Sequence, residues 1–215
     1  MKKTVIILSA FALIASSCGQ ATKKQVKLQT EAAEISAENI YTSSEQKYLI
    51  KDNGIDIFLI GQNIPTQTEG YSITKSIQTR TEEGEDFEIP VYTVFEDGQA
   101  ILNIEPFGDE IGSKPDRIGN IFILSAKFKT SKNIGLHSTI EEFIDAYPNF
   151  TIWYSYVSDR YVIEAGEPFD GIQFVLDGND FIDKNGPTFD SDMTILKPSE
   201  FKKGSKIKEI RIWGY

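Results

Sequence analysis

Residues 89–104 read IPVYTVFEDGQAILNI, two apolar runs on either side of Asp97-Gly98. An Asp-Gly pair takes the positive φ angles of a two-residue turn at little cost, so Ile89 to Phe95 and Gln99 to Ile104 are predicted to form a β-hairpin. The same grammar extends outward. Tyr48 to Ile50 and Ile55 to Ile60 flank Asp52-Asn53-Gly54, which predicts a second hairpin upstream. Between the two, Gln62 to Phe87 is polar and rich in Thr and Glu, and reads as a long loop with a short strand at Tyr71 to Ser76.

Downstream, Pro106 to Gly119 carries Gly108, Gly112 and Pro115 and reads as a loop. Ile121 to Phe128 alternates, which predicts a half-buried strand with Phe122, Leu124, Ala126 and Phe128 on its apolar face. Ser138 to Tyr147 is the helix: Ile140, Phe143, Ile144 and Tyr147 fall at helical spacing, Ser138 with Glu141 suggests a capping box, and Pro148 ends it. Strands are predicted at Phe150 to Val157 and Arg160 to Ala165, joined by Ser158-Asp159, then at Ile172 to Leu176 and Lys206 to Trp213. Strands outnumber helices and their connections are hairpin-like. The expected fold is α+β, a mainly antiparallel β domain over residues 46–215 with one short capped helix at about 138–147.

The start of the chain has a different character. Lys2 and Lys3 precede eleven apolar or small residues, Val5 to Ala15. At about 1.5 Å per residue such a helix reaches roughly half of a ~30 Å hydrocarbon core, so residues 1–17 read as an export signal rather than a permanent span. Ala15-Ser16-Ser17-Cys18 then resembles the lipobox of bacterial lipoproteins, with Ala15 standing where leucine is more usual. That resemblance implies cleavage before Cys18, acylation of Cys18 (palmitate included) and attachment to the membrane through the lipid. A lone cysteine in an exported chain has no internal disulfide partner, which fits modification. More than one acyl chain makes a firm anchor. Residues 18–45 hold few large apolar side chains and no aromatic before Tyr41, so they read as a disordered tether. Lipoprotein sorting rules imply the outer membrane from Gly19, and the absence of acidic residues directly after the cysteine favours its periplasmic face.

Charge narrows the partners. The 22 Lys and Arg against 32 Asp and Glu leave a net charge of −10, and loss of Lys2 and Lys3 with the leader makes the remainder more acidic. Nucleic acid is therefore excluded as an expected partner, because phosphate binding needs a basic patch. Another envelope protein, a peptide or a glycan fits better.

No GxSxG, HExxH, CxxC, Walker loop or GxGxxG occurs, so no cofactor is expected and an enzyme is the less favoured reading. His137, the sole histidine, lies just before the helix and reads as an exposed turn residue. Glu141-Glu142 suit the positive end of the helix dipole, which accounts for them without catalysis. Asp177, Asn179, Asp180 and Asp183, in a loop that continues to Asp190 and Asp192, are the candidate calcium ligands, since calcium wants six to eight oxygens. The register argues against an EF-hand, which would place Phe181 at the first ligand position; the alternative is a solvated, turn-rich loop.

Trp153 and Trp213 are the candidate ligand contacts. Both fall on the more polar parity of their strands, opposite Ile152 and Tyr154 in one case and Ile210 and Ile212 in the other. Either the helix covers that face, which is the expectation, or an aromatic surface stays open for a glycan or peptide.

Gly119 through Thr130, Ile134-Gly135-Leu136-His137-Ser138-Thr139-Ile140-Glu141-Glu142-Phe143, and Tyr147-Pro148 resemble the uncharacterised YfeY-type family of bacterial envelope lipoproteins, in which a strand, a Gly-turn and a short capped helix follow one another. The resemblance covers the middle third of the chain and the terminal strand Lys206 to Trp213, and implies no activity. The sequence thus points to a lipid-anchored envelope protein with a non-catalytic binding or interaction domain. A glycan-active hydrolase and a calcium-stabilised module are the alternatives.

Overall fold

Turn chemistry sets the register of the main sheet. In the computed structural model, which describes residues 46–82, 85–107, 116–167, 169–187 and 193–214, Asp97 and Gly98 take φ of 50° and 77°. These join β5 (Glu85–Glu96) to β6 (Gln99–Pro106) as expected, with Glu96 paired to Gln99. The leader, Cys18 and the tether lie outside the described residues.

The other strands are β1 (Ile50–Lys51), β2 (Gly54–Ile55), β3 (Phe58–Leu59), β4 (Ser72–Glu82), β7 (Ile118–Ile123), β8 (Thr151–Ser155), β9 (Arg160–Glu164), β10 (Ile172–Leu176), β11 (Met193–Leu196) and β12 (Ile207–Trp213). Nine form one sheet in the order β11-β8-β9-β10-β12-β7-β6-β5-β4, with every pairing antiparallel. Among the described residues one α-helix, α1 (Ile140–Ala146), accompanies these strands. That corrects the expected α+β class. The molecule is a β-rich, mostly antiparallel fold to which a seven-residue helix is an attachment.

Four further expectations are corrected. Residues 62–87 are not mainly loop, because β4 runs eleven residues and pairs with β5 from Ser72↔Phe95 to Glu82↔Glu85. Its composition is polar because it is an edge strand whose far half leaves the core, so no face of it has to be apolar. The first predicted hairpin is a three-stranded meander. Ile55 to Ile60 breaks at Asp56 (φ 50°) into β2 and β3, and Gly54 is a strand residue whose missing Cβ makes room for the Phe58 carbonyl. The strand predicted at Ile121 to Phe128 is β7, shifted upstream, with Ile121 and Ile123 buried while Leu124 is exposed. The capping box lies one residue later than expected: Thr139 Oγ1 accepts from Glu142 N at 3.2 Å, and Glu142 Oε2 accepts from Thr139 N at 2.8 Å.

The core lies on one face of the sheet. Phe58, Phe128, Phe143 and Phe174 are fully buried, among isoleucines from β6, β7, β10 and β12. The helix seats Phe143 edge-on against Phe174 of β10 with ring centroids 5.0 Å apart. Three backbone hydrogen bonds, His137 N to Ile207 O, Ile140 N to Ser205 O and Ile207 N to Ser138 O, tie the helix entry to the start of β12 at 2.9 Å each. β12 is thus both the central strand and the helix's attachment. At the sheet's other end Glu96, 5% exposed, accepts from Lys47 at 2.6 Å, from Lys127 at 3.0 Å and from Tyr48 at 2.9 Å. Burial opposes its ionisation, but those donors prevail and hold the carboxyl at about 2.

Candidate functional site

Strand parity builds the site. Alternate residues of β8, β9, β10 and β12 turn away from the helix: Trp153, then Val162 and Glu164, then Gln173 and Val175, then Glu209, Arg211 and Trp213. Ile152, Ile163, Phe174 and Ile210 face the other way, into the core that Phe143 completes. The expected cover of the tryptophans by the helix is therefore corrected, since the helix packs on the opposite face. Both indoles are half-buried.

Trp153 and Trp213 line one cleft of about 380 Å³ with Glu164, Gly166, Asp170 and Gln173. Glu164 pairs with Thr151 across β8 and β9, which sets it one diagonal step from Trp153. Gln173 pairs with Arg211, two residues from Trp213 along β12. The tryptophan strands are separated by two others, roughly 14 Å between backbones, and the register sets Trp153 level with Glu209, so the two indoles stand diagonally on either side of a floor of acid and amide. The β9–β10 connection closes one end, with Gly166 at φ 70° and Phe169 N donating to Gly166 O at 2.8 Å.

Burial pushes the Glu164 carboxyl above the usual carboxylate range and Asp170 adds to that; hydrogen bonding from Trp153 and Gln173 pulls the other way without cancelling it. Among the described lining residues the only charged side chains are these two acids. Next to the cleft, Arg211 donates to Asn120 Oδ1 at 3.0 Å and lies 5.5 Å from the Phe122 ring and 5.8 Å from the Trp213 ring. Its guanidinium is depressed by burial first and by Arg160 next. Arg80 donates to Glu105 at 2.5 Å, continuing a polar band across the same face.

The candidate calcium ligands do not converge. Asp177 caps a short 3₁₀ turn by accepting from Asn179 N at 3.1 Å, Asp180 stands 3.5 Å from Lys202 Nζ, and Asp183 accepts from Asn185 N at 2.9 Å. Among the described residues no group of three or more His, Cys, Asp or Glu is placed to hold a metal ion; Asp190 and Asp192 lie outside them. Asp177 and Asn179 line a second cleft, of about 520 Å³, with Arg160, Lys208 and Glu209. Its two cations are each paired within it, Arg160 to Glu209 at 2.5 Å and Lys208 to Asp177 at 3.9 Å, while Asp159 accepts from Tyr154. His137 is exposed at φ 69°, a turn residue before the helix. Glu142 serves the capping box, and Glu141 accepts from Gly204 N at 3.1 Å.

Parity picked out the two tryptophans, whereas Glu164 and Gln173 escaped the sequence reading. A signal for each was present: Gln173 is the one polar residue in IQFVL, and Glu164 follows Val162 on the parity that the Ser158-Asp159 hairpin sets beside Trp153.

Among the described residues no helix is long and apolar enough to cross a membrane. No protein-family model matches the chain, and no curated protein matches it. Among solved structures the chain is weakly similar to the uncharacterised protein yfeY from Escherichia coli, at 11% identity and a TM-score of 0.48, over 77% of this chain and 99% of that one.

Proposed function

We propose that this is a bacterial envelope lipoprotein, anchored in the outer membrane through acylated Cys18 and facing the periplasm, whose domain is a non-catalytic binding module. The anchor rests on residues 1–19 as sequence. The binding reading rests on one observation: Trp153 and Trp213, sixty residues apart in the chain, wall a single cleft on the sheet face that the helix leaves uncovered. Large aromatics held open beside a few polar groups are what ligand sites require. A periplasmic protein, peptide or glycan is the partner class, and the net charge of −10 makes nucleic acid a poor partner.

Two experiments test this. Cells fed a labelled fatty acid should label the wild-type chain and not Cys18→Ser; label surviving that change refutes the anchor. Photocrosslinking in cells from position 195, which pairs with Trp153 at the cleft's edge, should give an adduct that Trp153→Ala with Trp213→Ala removes. An adduct indifferent to both tryptophans refutes the binding reading.

A glycan hydrolase is the second reading, favoured by Glu164 with its raised carboxyl sharing the cleft with Asp170, since glycosidases draw acid and base from such pairs. Turnover of an envelope glycan by the purified chain, abolished by Glu164→Gln, would replace the binding reading with this one.

A further inference from the structure

The chemistry of the Trp cleft selects among ligand classes. A neutral sugar needs donors as well as acceptors from its site, because each hydroxyl both gives and takes a hydrogen bond. Among the described lining residues side-chain donors are few: the Trp153 indole N–H and one N–H of the Gln173 amide are directed at Glu164. Trp213 Nε1 is buried, so that indole offers the cleft carbon surface rather than its N–H. Among the described lining residues, what a guest meets is mainly aromatic surface and carboxylate oxygen, with one Gln173 N–H beside them. No Lys or Arg is among the described lining residues, in contrast to the second cleft, where Arg160 and Lys208 answer Glu209 and Asp177. The chain's net charge of −10 raises the local concentration of cations around it.

We propose that the cleft between Trp153 and Trp213 binds an organic ammonium group, seated on Glu164 against the Trp153 indole, while the Trp213 ring already faces Arg211. This rests on the binding-module reading above and names its ligand class. A cation is held by the quadrupole of an aromatic ring and by a carboxylate, and both interactions strengthen where water is excluded. The same contact relieves the cost of keeping Glu164 ionised in a half-buried position. The ammonium group is that of a small molecule, the class of guest that a cleft of about 380 Å³ encloses.

The chain carries two tryptophans and both line this cleft, so its intrinsic fluorescence reports on the site directly. The full chain, in a non-ionic detergent without a sugar headgroup, is titrated with choline and with 3,3-dimethyl-1-butanol, the neutral molecule of the same shape. Choline should shift the emission saturably with at least about tenfold tighter binding than the alcohol, as cation–π contacts with partial desolvation provide. Glu164→Gln keeps the shape of the side chain and should remove the preference. Equal binding of the two probes overturns the proposal, as does a preference that Glu164→Gln leaves intact. Emission that responds to di-N-acetylchitobiose and not to choline also overturns it, while leaving a binding module in place. Silence toward all three probes overturns it as well, and the binding reading is then decided by crosslinking alone.

Discussion

The two faces of the nine-stranded sheet are built from the same strands yet serve different ends. On the helix face, Phe174 meets Phe143, and Ile163, Ile210 and Ile212 are wholly buried. On the opposite face the residues one step away in sequence are Gln173, Glu164, Arg211 and Trp213, with half-buried charge, half-buried aromatics and a cleft. A strand's period of two lets one segment meet both demands, and a shift of a single residue in register would exchange them. The packed face supplies stability. The open face carries groups whose placement costs stability, the pattern expected where a ligand completes the environment.

The sharpest way to break this contrast is at the helix. Phe143→Ala should lower the unfolding free energy by about 3–5 kcal/mol in denaturant titration, because it removes a fully buried ring from a packed cluster. Trp153→Ala should cost clearly less and should instead abolish the crosslink. Equal losses would dissolve the distinction.

Acid and neutral pH separate two carboxylates of opposite kind. Glu96 has a folded pKa of about 2, below its unfolded value, so its contribution is present above about pH 4.5 and is lost as pH falls toward 2. Glu96→Gln should therefore destabilise the chain at pH 7, with the difference shrinking toward pH 2. Glu164 is the reverse: its folded pKa is raised, so stability is lost as pH rises through it. Glu164→Gln should raise the Tm at pH 7 and have little effect below about pH 4, in thermal melts across that range. A Glu164→Gln chain less stable at pH 7 would mean that the carboxylate is structural rather than held for a guest.

The smallest effect expected is at the cap. Thr139→Ala should cost about 1 kcal/mol, since it removes the acceptor for Glu142 N, while Ser138→Ala should not act through the helix terminus.

Local chemistry made some of this legible in the sequence and hid the rest. The Asp97-Gly98 and Ser158-Asp159 turns, the amphipathic helix and the terminal strand are written in short-range signals, and each lies where those signals indicate. The cap was ambiguous because Ser138, Thr139, Glu141 and Glu142 offer two boxes one residue apart, and backbone hydrogen bonds to residues 205 and 207 decide between them. β4 was hidden because an edge arm need not alternate. The position of β12 between β10 and β7 is a long-range fact, and it is what carries Trp213 to Trp153's cleft. Parity alone could place each indole on a face but could not unite them.

The account turns on both indoles standing open on the face away from the helix. Brief treatment of the folded chain with N-bromosuccinimide, followed by peptide mapping, measures that directly. Trp153 and Trp213 should both oxidise at comparable rates before any unfolding; protection of either until the chain is denatured would contradict an open cleft between them.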